Sequence, residues 1–241
     1  MILFFFYGYF SLKKGVLSII NKDRIVEAYI GEYAAGKSEA ALSRALELAG
    51  LGRKVTLVDL DLVEPCYTLR PVQKELMARG VEVIAWEAKE TLGLGEAGVT
   101  IKPAARWALR RPGDIILDIG YGVEGSKTLK LLEGAAEDPF LNIICVVNTS
   151  RPMTSGMEQI VEHVREMGKV DGLINNTHLG DETTVEVVQE GAGLITRAAK
   201  TLGLPVVATT APALIAGQIG SMDCLGNPVR PLAGLMSKAF W

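Results

Sequence analysis

The sequence predicts an α/β fold: a single three-layer domain with a mostly parallel, twisted sheet of about seven strands and helices on both faces. Short apolar runs alternate with helical patterns from residue 24 onward, and such alternation is typical of parallel strands joined by right-handed crossovers. The 49% hydrophobic and 22% charged residues are those of a globular protein with a large core. We therefore assign residues 24–241 to this domain and residues 1–23 to an apolar extension or edge segment.

The first strand leads into a glycine-rich loop. An apolar run at residues 25–30 is followed by GEYAAGKS and then directly by an alanine- and leucine-rich helical pattern. A GxxxxGK(S/T) loop between a strand and a helix is a P-loop, whose backbone N–H groups and helix N-terminus hold phosphates. Lys37 is expected to reach the β- and γ-phosphates, and the Ser38 hydroxyl to bind Mg2+. The predicted phosphate-binding residues are Gly31, Glu32, Tyr33, Ala34, Ala35, Gly36, Lys37, Ser38 and Glu39.

The remaining elements follow in order after the first helix, which glycines at positions 50 and 52 end. Short, largely apolar runs predict strands at residues 54–60, 81–87, 114–120, 142–148, 172–177 and 204–210. The continuous apolar run at residues 142–148 is typical of a strand buried on both faces. Helices are predicted at residues 72–79, 103–111, 126–134, 155–167 and 183–202, with a short terminal helix after Pro212. Two of them begin with capping boxes, Ser155 with Glu158 and Thr183 with Glu186.

Acidic residues follow two of the predicted strands, at the sheet edge where open parallel sheets bind ligands. Asp118 ends the apolar run Ile115-Ile116-Leu117 and matches the P-loop acid that holds Mg2+ directly or through water. A simple cap of the following loop is the alternative for it. Asp59 and Asp61 follow the second strand, and either one could polarise the attacking water, join the Mg2+ shell or cap a loop.

These features together resemble the MinD/ParA/CobQ-type P-loop proteins of the SIMIBI class, over about residues 24–220. The phrases GEYAAGKSEAAL, KVTLVDLDLVEP, VVNTSRPMT and NNTHLGDETT are similar to a set of uncharacterised bacterial ATP-binding proteins. The resemblance implies an ATPase, with ATP and Mg2+ as cofactors, that dimerises or changes partner with its nucleotide state. It also implies that Asn176, or else Asn175, contacts adenine and that the stretch from Pro212 gives backbone contacts to the base.

The loop departs from the family pattern at two positions. Glu32 stands where these loops carry a second lysine that reaches across a dimer, and Ala34 stands where they carry glycine. An acid beside a triphosphate would repel it, so we expect Glu32 to point away or to meet a basic group. Slow or partner-stimulated hydrolysis is the corresponding expectation.

The leading hypothesis is a Mg-ATP-binding switch that binds ATP and ADP and acts on a protein client. An ATP-dependent kinase or ligase is one alternative, because the loops at residues 61–70 and 91–102 leave room for a substrate. A non-hydrolysing nucleotide sensor is another, favoured by Glu32. The sequence Asn175-Asn176-Thr177-His178 lacks the lysine and aspartate of the NKxD guanine signature, which favours ATP.

Charge and cysteine content indicate which partners and which cellular compartment to expect. A net charge of −3 gives no electrostatic reason to expect a nucleic-acid partner. Three cysteines without a CxxC motif favour the reducing cytoplasm. The apolar run at residues 1–10 is too short to span a membrane; membrane contact through it stays an option that we do not favour, and a homodimer stays open.

Overall fold

The structure is a computed structural model that describes residues 24–61, 69–85 and 101–236. The predicted N-terminal segment, residues 1–23, lies outside the described residues. So do most of the loop at residues 61–70, nearly all of the loop at residues 91–102, and the end of the strand predicted at residues 81–87.

Eight strands form one sheet in the described part of the chain, in the order β3-β2-β4-β1-β5-β6-β7-β8. Every neighbouring pair is parallel, which confirms the predicted α/β class. The expected number of about seven strands was one short, because the edge strand β8 contains Arg230 and Pro231 and is no apolar run; proline is tolerated at a sheet edge. The strands are β1 Val26–Gly31, β2 Val55–Leu60, β3 Val81–Ile84, β4 Asp114–Ile119, β5 Leu141–Val147, β6 Gly172–Asn175, β7 Val206–Pro212 and β8 Val229–Leu232.

Helices cover both faces of the sheet and give the predicted three layers. Along β1, Val26, Ala28 and Ile30 enter one core, while Tyr29 enters the other. The first core contains buried residues of α3, α5 and α6, and the second contains those of α1 and α2. The helices are α1 Lys37–Gly50, α2 Gln73–Ala78, α3 Pro103–Arg106, α4 Gly122–Lys127, α5 Met157–Glu166, α6 Val185–Leu202 and α7 Ala213–Ile219.

Two predicted helices were misplaced. The helix expected at residues 126–134 begins at Gly122, ends at Lys127 and continues only as the 3-10 turn Thr128–Leu131. Glycine allows this early start, because a Cβ on Gly125 would lie 2.0 Å from the Gly120 carbonyl oxygen. The helix expected at residues 103–111 is the single turn α3, followed by the 3-10 turn Ala108–Arg110.

Both predicted capping boxes were wrong. The N-cap of α5 is Gly156, and the Ser155 hydroxyl donates to the Pro152 carbonyl oxygen instead. The N-cap of α6 is Thr184, whose hydroxyl oxygen accepts from the Val187 N–H, while the Thr183 hydroxyl donates to the Gly180 carbonyl oxygen. Serine and threonine hydroxyls bond as readily within a preceding turn as at a helix start.

Asp223 closes the loop between α7 and β8. Its side chain is 6% exposed, and its carboxylate accepts from the Thr209 hydroxyl, the Asn227 side-chain amide and the backbone N–H groups of Leu225 and Asn227. Burial alone would raise the pKa of Asp223, but the bonds from Thr209, Asn227 and the backbone outweigh it and lower this pKa. The ionised form therefore fastens the loop to β7.

Replacing Asp223 with alanine is expected to lower the free energy of unfolding by about 3 kcal/mol at neutral pH, since several buried donors lose their acceptor. The folded pKa lies below the unfolded value of 3.8, so this stability is present above the unfolded pKa and lost as pH falls through the folded pKa. Urea unfolding at several pH values should show the difference between the two proteins shrinking below about pH 4. Glu162→Ala, at an exposed position of α5, is the control, and a difference that is independent of pH would contradict the assignment.

Candidate functional site

The loop between β1 and α1 needs glycine at both ends. Gly31 has φ 148°, and a Cβ there would lie 2.4 Å from the Val146 carbonyl oxygen of the neighbouring strand β5. Gly36 has φ 84°, and a Cβ there would lie 2.2 Å from the Asn176 side-chain nitrogen. Ala34 also adopts the left-handed conformation, with φ 53°, and no other non-glycine residue in the described ranges has a positive φ. The loop thus has a fixed, tightly packed backbone in which the alanine is strained.

Lys37 begins α1 and folds back across the loop. Its side chain is 7% exposed, and Nζ donates to the Glu32 carbonyl oxygen at 3.1 Å. Burial lowers the pKa of Lys37, opposed by the negative charges of Asp118, Asp61 and Glu32. The amine is therefore held inside the loop and next to the acids at the strand ends.

Asp118 lies near the end of β4, paired in register with Asp59 on β2. The residue is 1% exposed, and among the described residues neither carboxylate oxygen has a hydrogen-bond partner that meets normal geometry. Burial and the nearby Asp59 raise the pKa of Asp118 to about 8, although the Ser38 hydroxyl and Lys37 act in the opposite direction. A buried carboxylate without a donor, facing a hydroxyl group, is a set of oxygen ligands that suits Mg2+.

The two acids at the carboxyl end of β2, Asp59 within the strand and Asp61 just past it, differ in their surroundings. The Asp59 carboxylate accepts from the backbone N–H groups of Asp61 and Leu69, at 3.1 and 3.3 Å. It therefore fastens both ends of the loop that follows β2, as the capping alternative predicted. Asp61 is half-buried and lines the cavity next to the P-loop.

A cavity of about 510 Å³ lies along the carboxyl ends of the strands. The predicted residues that line it are Tyr33, Ala34, Gly36, Lys37, Ser38, Glu39, Asp61, Asn176 and Pro212. The predicted residues that do not line it are Gly31, Glu32, Ala35, Asp59 and Asp118. Lining residues that sequence reasoning missed are Tyr121, Arg151, His178, Gly180, Asp181, Thr183, Leu232, Gly234 and Met236.

The two candidate asparagines at the end of β6 are held by the protein. The buried side chain of Asn176 donates to the Ala35 carbonyl oxygen at 2.7 Å and accepts from the Thr210 hydroxyl at 2.7 Å. It ties the P-loop to β7, and its contact with adenine stays a prediction. Asn175 donates to the Val188 carbonyl oxygen and the Thr209 hydroxyl, and it does not line the cavity.

Glu32 is turned towards α5. Its Oε1 accepts from the Tyr33 N–H at 2.7 Å, and its Oε2 lies 3.7 Å from Nδ1 of the buried His163. Burial lowers the pKa of His163, while Glu32 and Glu166 oppose that shift and Lys37 adds to it. The acid that was expected to repel a triphosphate thus faces a histidine outside the cavity lining.

Arg151 and His178 are the chemically informative residues that were missed. Arg151 Nε donates to the Ala34 carbonyl oxygen at 3.1 Å, across 117 positions of sequence. His178 Nδ1 lies 2.7 Å from the Asn176 carbonyl oxygen and 3.2 Å from the Asn148 side-chain amide nitrogen. Burial lowers the pKa of His178. The signal that could have found both residues is their position just past the carboxyl ends of β5 and β6.

Glu39 directs its carboxylate to the chain segment after β8. Its Oε1 and Oε2 accept from the backbone N–H groups of Gly234 and Met236, each at 2.7 Å. Ser43 accepts from the Ala233 N–H and donates to Glu39. We call residues 233–236 the C-terminal strap. A nucleotide contact by Glu39 stays a prediction, and its side chain holds the strap.

Within the described ranges, no three His, Cys, Asp or Glu side chains are grouped closely enough to hold a metal ion by themselves. A metal ion here would need ligands from a bound molecule or water as well. No helix in the same ranges is long and apolar enough to cross a membrane.

Comparisons with known proteins support the fold. No family model matches the chain, and no curated protein matches it. The cell division protein FtsY from Thermotoga maritima matches with a TM-score of 0.51 and 19% identity, covering 78% of this chain and 62% of that one. The signal recognition particle receptor FtsY from Elizabethkingia anophelis, in complex with GDP, matches with a TM-score of 0.51 and 16% identity, covering 78% of this chain and 57% of that one.

Chloroplast FtsY from Physcomitrella patens has a TM-score of 0.50 and 17% identity, covering 82% of this chain and 66% of that one. The chain therefore spans about three fifths of the length of the FtsY structures that it matches. At these identities the likeness shows the fold alone. That fold, a parallel sheet with helices on both faces, is the α/β fold class which the sequence predicted.

Proposed function

We propose that the protein binds Mg-ATP in this cavity, hydrolyses it slowly or under the stimulation of a partner, and acts as a nucleotide-dependent switch on a protein client. The observation that carries the proposal is that the buried Lys37 of the P-loop, which lines the cavity, lies near the buried carboxylate of Asp118, which has no hydrogen-bond partner of normal geometry among the described residues. The volume of about 510 Å³ lies within the usual range for small-molecule sites.

The phosphates are held at the P-loop end. Backbone N–H groups of the loop and the N-terminus of α1 supply fixed partial positive charge there. Lys37 and Arg151 are the lysine and arginine among the described lining residues. With its Nε bonded to Ala34, Arg151 keeps two terminal nitrogens for phosphate oxygens.

Ser38 and Asp118 are the residues that would hold Mg2+, directly or through water. When bound, this ion neutralises charge on the β- and γ-phosphates. Asp118 is buried, and among the described residues its oxygens have no hydrogen-bond partner of normal geometry. Both facts fit this role, since a carboxylate without donors is costly to bury unless a cation joins it.

Asp61 is the acid that we assign to the attacking water. It lines the cavity, whereas Asp59 already accepts two backbone N–H groups at the loop that it closes. The Asp59 carboxylate is engaged by backbone N–H groups, and Glu32 stands where related loops carry a second lysine. Slow intrinsic hydrolysis is therefore the expected behaviour.

Adenine is the proposed base because residues 175–178 lack the guanine signature. Phosphate release and equilibrium binding, measured with ATP and GTP in the presence of Mg2+, test the proposal. Tighter binding of ATP than of GTP, with slow release of phosphate, is expected. Preference for GTP would overturn the choice of base, ATP binding without release would favour a sensor, and binding of neither nucleotide would overturn the function.

A further inference from the structure

The C-terminal strap joins the cavity from the side of the sheet opposite to Asp118. Asp118 is on β4, which neighbours β1 on one side, whereas β5, β6, β7 and β8 follow on the other side. The strap continues from β8, at the far edge of the sheet, and Gly234, Met236 and the β8 residue Leu232 line the cavity. A ligand with its phosphates in the P-loop therefore extends its other end towards the strap.

Side chains of α1 anchor the strap. Three backbone N–H groups, those of Ala233, Gly234 and Met236, donate to Ser43 and Glu39. Leu235 and Met236 are buried, so the strap also packs on the core next to α1. Hydrogen bonds to a carboxylate are stronger than neutral ones, and Glu39 accepts two of them at 2.7 Å.

This anchoring also settles the direction of the Glu39 charge. Glu39 lies in the first turn of α1, immediately after Ser38, where a free carboxylate would repel bound phosphate. Both of its oxygens instead accept from the strap. The same contact that engages both oxygens of this acid also fixes two strap residues, Gly234 and Met236, that line the cavity.

We propose that the strap and Leu232 form the clamp for the nucleoside part of the ligand, and that Glu39 is a positioning residue that sets this clamp against α1. This inference rests on the proposed function. The apolar side chains of Leu232 and Met236 suit the face of a nucleobase, and the flexible methionine adapts to a planar ring. Glu39 thereby links the helix that begins at the phosphates to the recognition of the base.

Glu39→Gln tests the link, because it keeps the size of the side chain and replaces one acceptor oxygen with an amide NH2 group. Titration calorimetry in Mg2+ measures ATP and inorganic tripolyphosphate, which lacks the nucleoside. We expect the affinity for ATP to fall about tenfold, which is the size expected for the loss of a hydrogen bond to a charged group. The affinity for tripolyphosphate should stay unchanged. Met236→Ala, which leaves α1 intact, should likewise lower the affinity for ATP and leave the affinity for tripolyphosphate unchanged. Glu190→Gln, at an exposed position of α6, is the matched control for lost charge.

The outcomes distinguish a failure of the clamp proposal from a failure of the proposed function. An equal loss for both ligands in Glu39→Gln would mean that Glu39 acts on the phosphate loop, and it would overturn the clamp. Unchanged ATP affinity in both Glu39→Gln and Met236→Ala would overturn it as well. Wild-type protein that binds neither ATP nor tripolyphosphate would instead overturn the proposed function.

Discussion

Lys37→Ala is expected to lower the affinity for ATP by about 100-fold or more, because charged hydrogen bonds to the phosphates contribute about 1.5–3 kcal/mol each. In the structure Nζ makes its bond to the Glu32 carbonyl oxygen from a buried position inside the loop. A phosphate placed in the loop would therefore meet an amine that is already ordered, so little conformational entropy is lost on binding.

Titration calorimetry with ATP and ADP, in excess Mg2+, measures this effect. Lys130→Ala is the matched control, since it removes an exposed lysine from the turn after α4. Thermal unfolding without nucleotide separates binding from folding, because the Lys37 amine also donates to the Glu32 carbonyl oxygen and the loss of that bond acts on the fold. ATP affinity of Lys37→Ala within threefold of the wild type, with the fold intact, would contradict the P-loop assignment.

The features that could be predicted from the sequence are local ones. The strands β1, β2, β4 and β5 are mostly apolar runs. The P-loop is a motif of eight consecutive residues, and the structure shows why its first and sixth positions are glycine: a Cβ at either one would collide with a neighbouring residue. Asp118 was placed at a strand end by the run before it. Each of these inferences needs only the neighbouring residues.

The features that sequence reasoning missed depend on contacts between distant positions. Glu39 meets Gly234 across 195 residues, and Arg151 meets Ala34 across 117. The periodic spacing of apolar residues in the sequence cannot identify such distant pairs. The edge strand β8 was missed for a related reason: only its pairing with β7 makes Val229–Leu232 a strand, since Pro231 and Arg230 break any apolar pattern.

Asp118→Asn is expected to have opposite effects on activity and stability. Asparagine keeps the shape of the side chain and removes the negative charge that would hold Mg2+, so Mg2+-dependent phosphate release should fall by about 100-fold or more. The same change removes a buried carboxyl group that lies in register with Asp59 and whose pKa is raised to about 8. A carboxyl whose folded pKa lies above its unfolded value weakens folding at neutral pH, so without nucleotide or Mg2+ the free energy of unfolding should rise by about 2 kcal/mol.

Urea unfolding in EDTA and phosphate release in Mg2+ measure the two effects on the same preparations. Glu137→Gln is the control, because Glu137 is an exposed acid in the segment before β5. A variant that loses both activity and stability would mean that Asp118 is a structural residue whose carboxylate the fold requires. A variant that becomes more stable and still releases phosphate at the wild-type rate would place the metal elsewhere. Only a gain in stability with a loss of activity fits a carboxylate kept unpaired for Mg2+, since the folding cost is then offset when the ion binds.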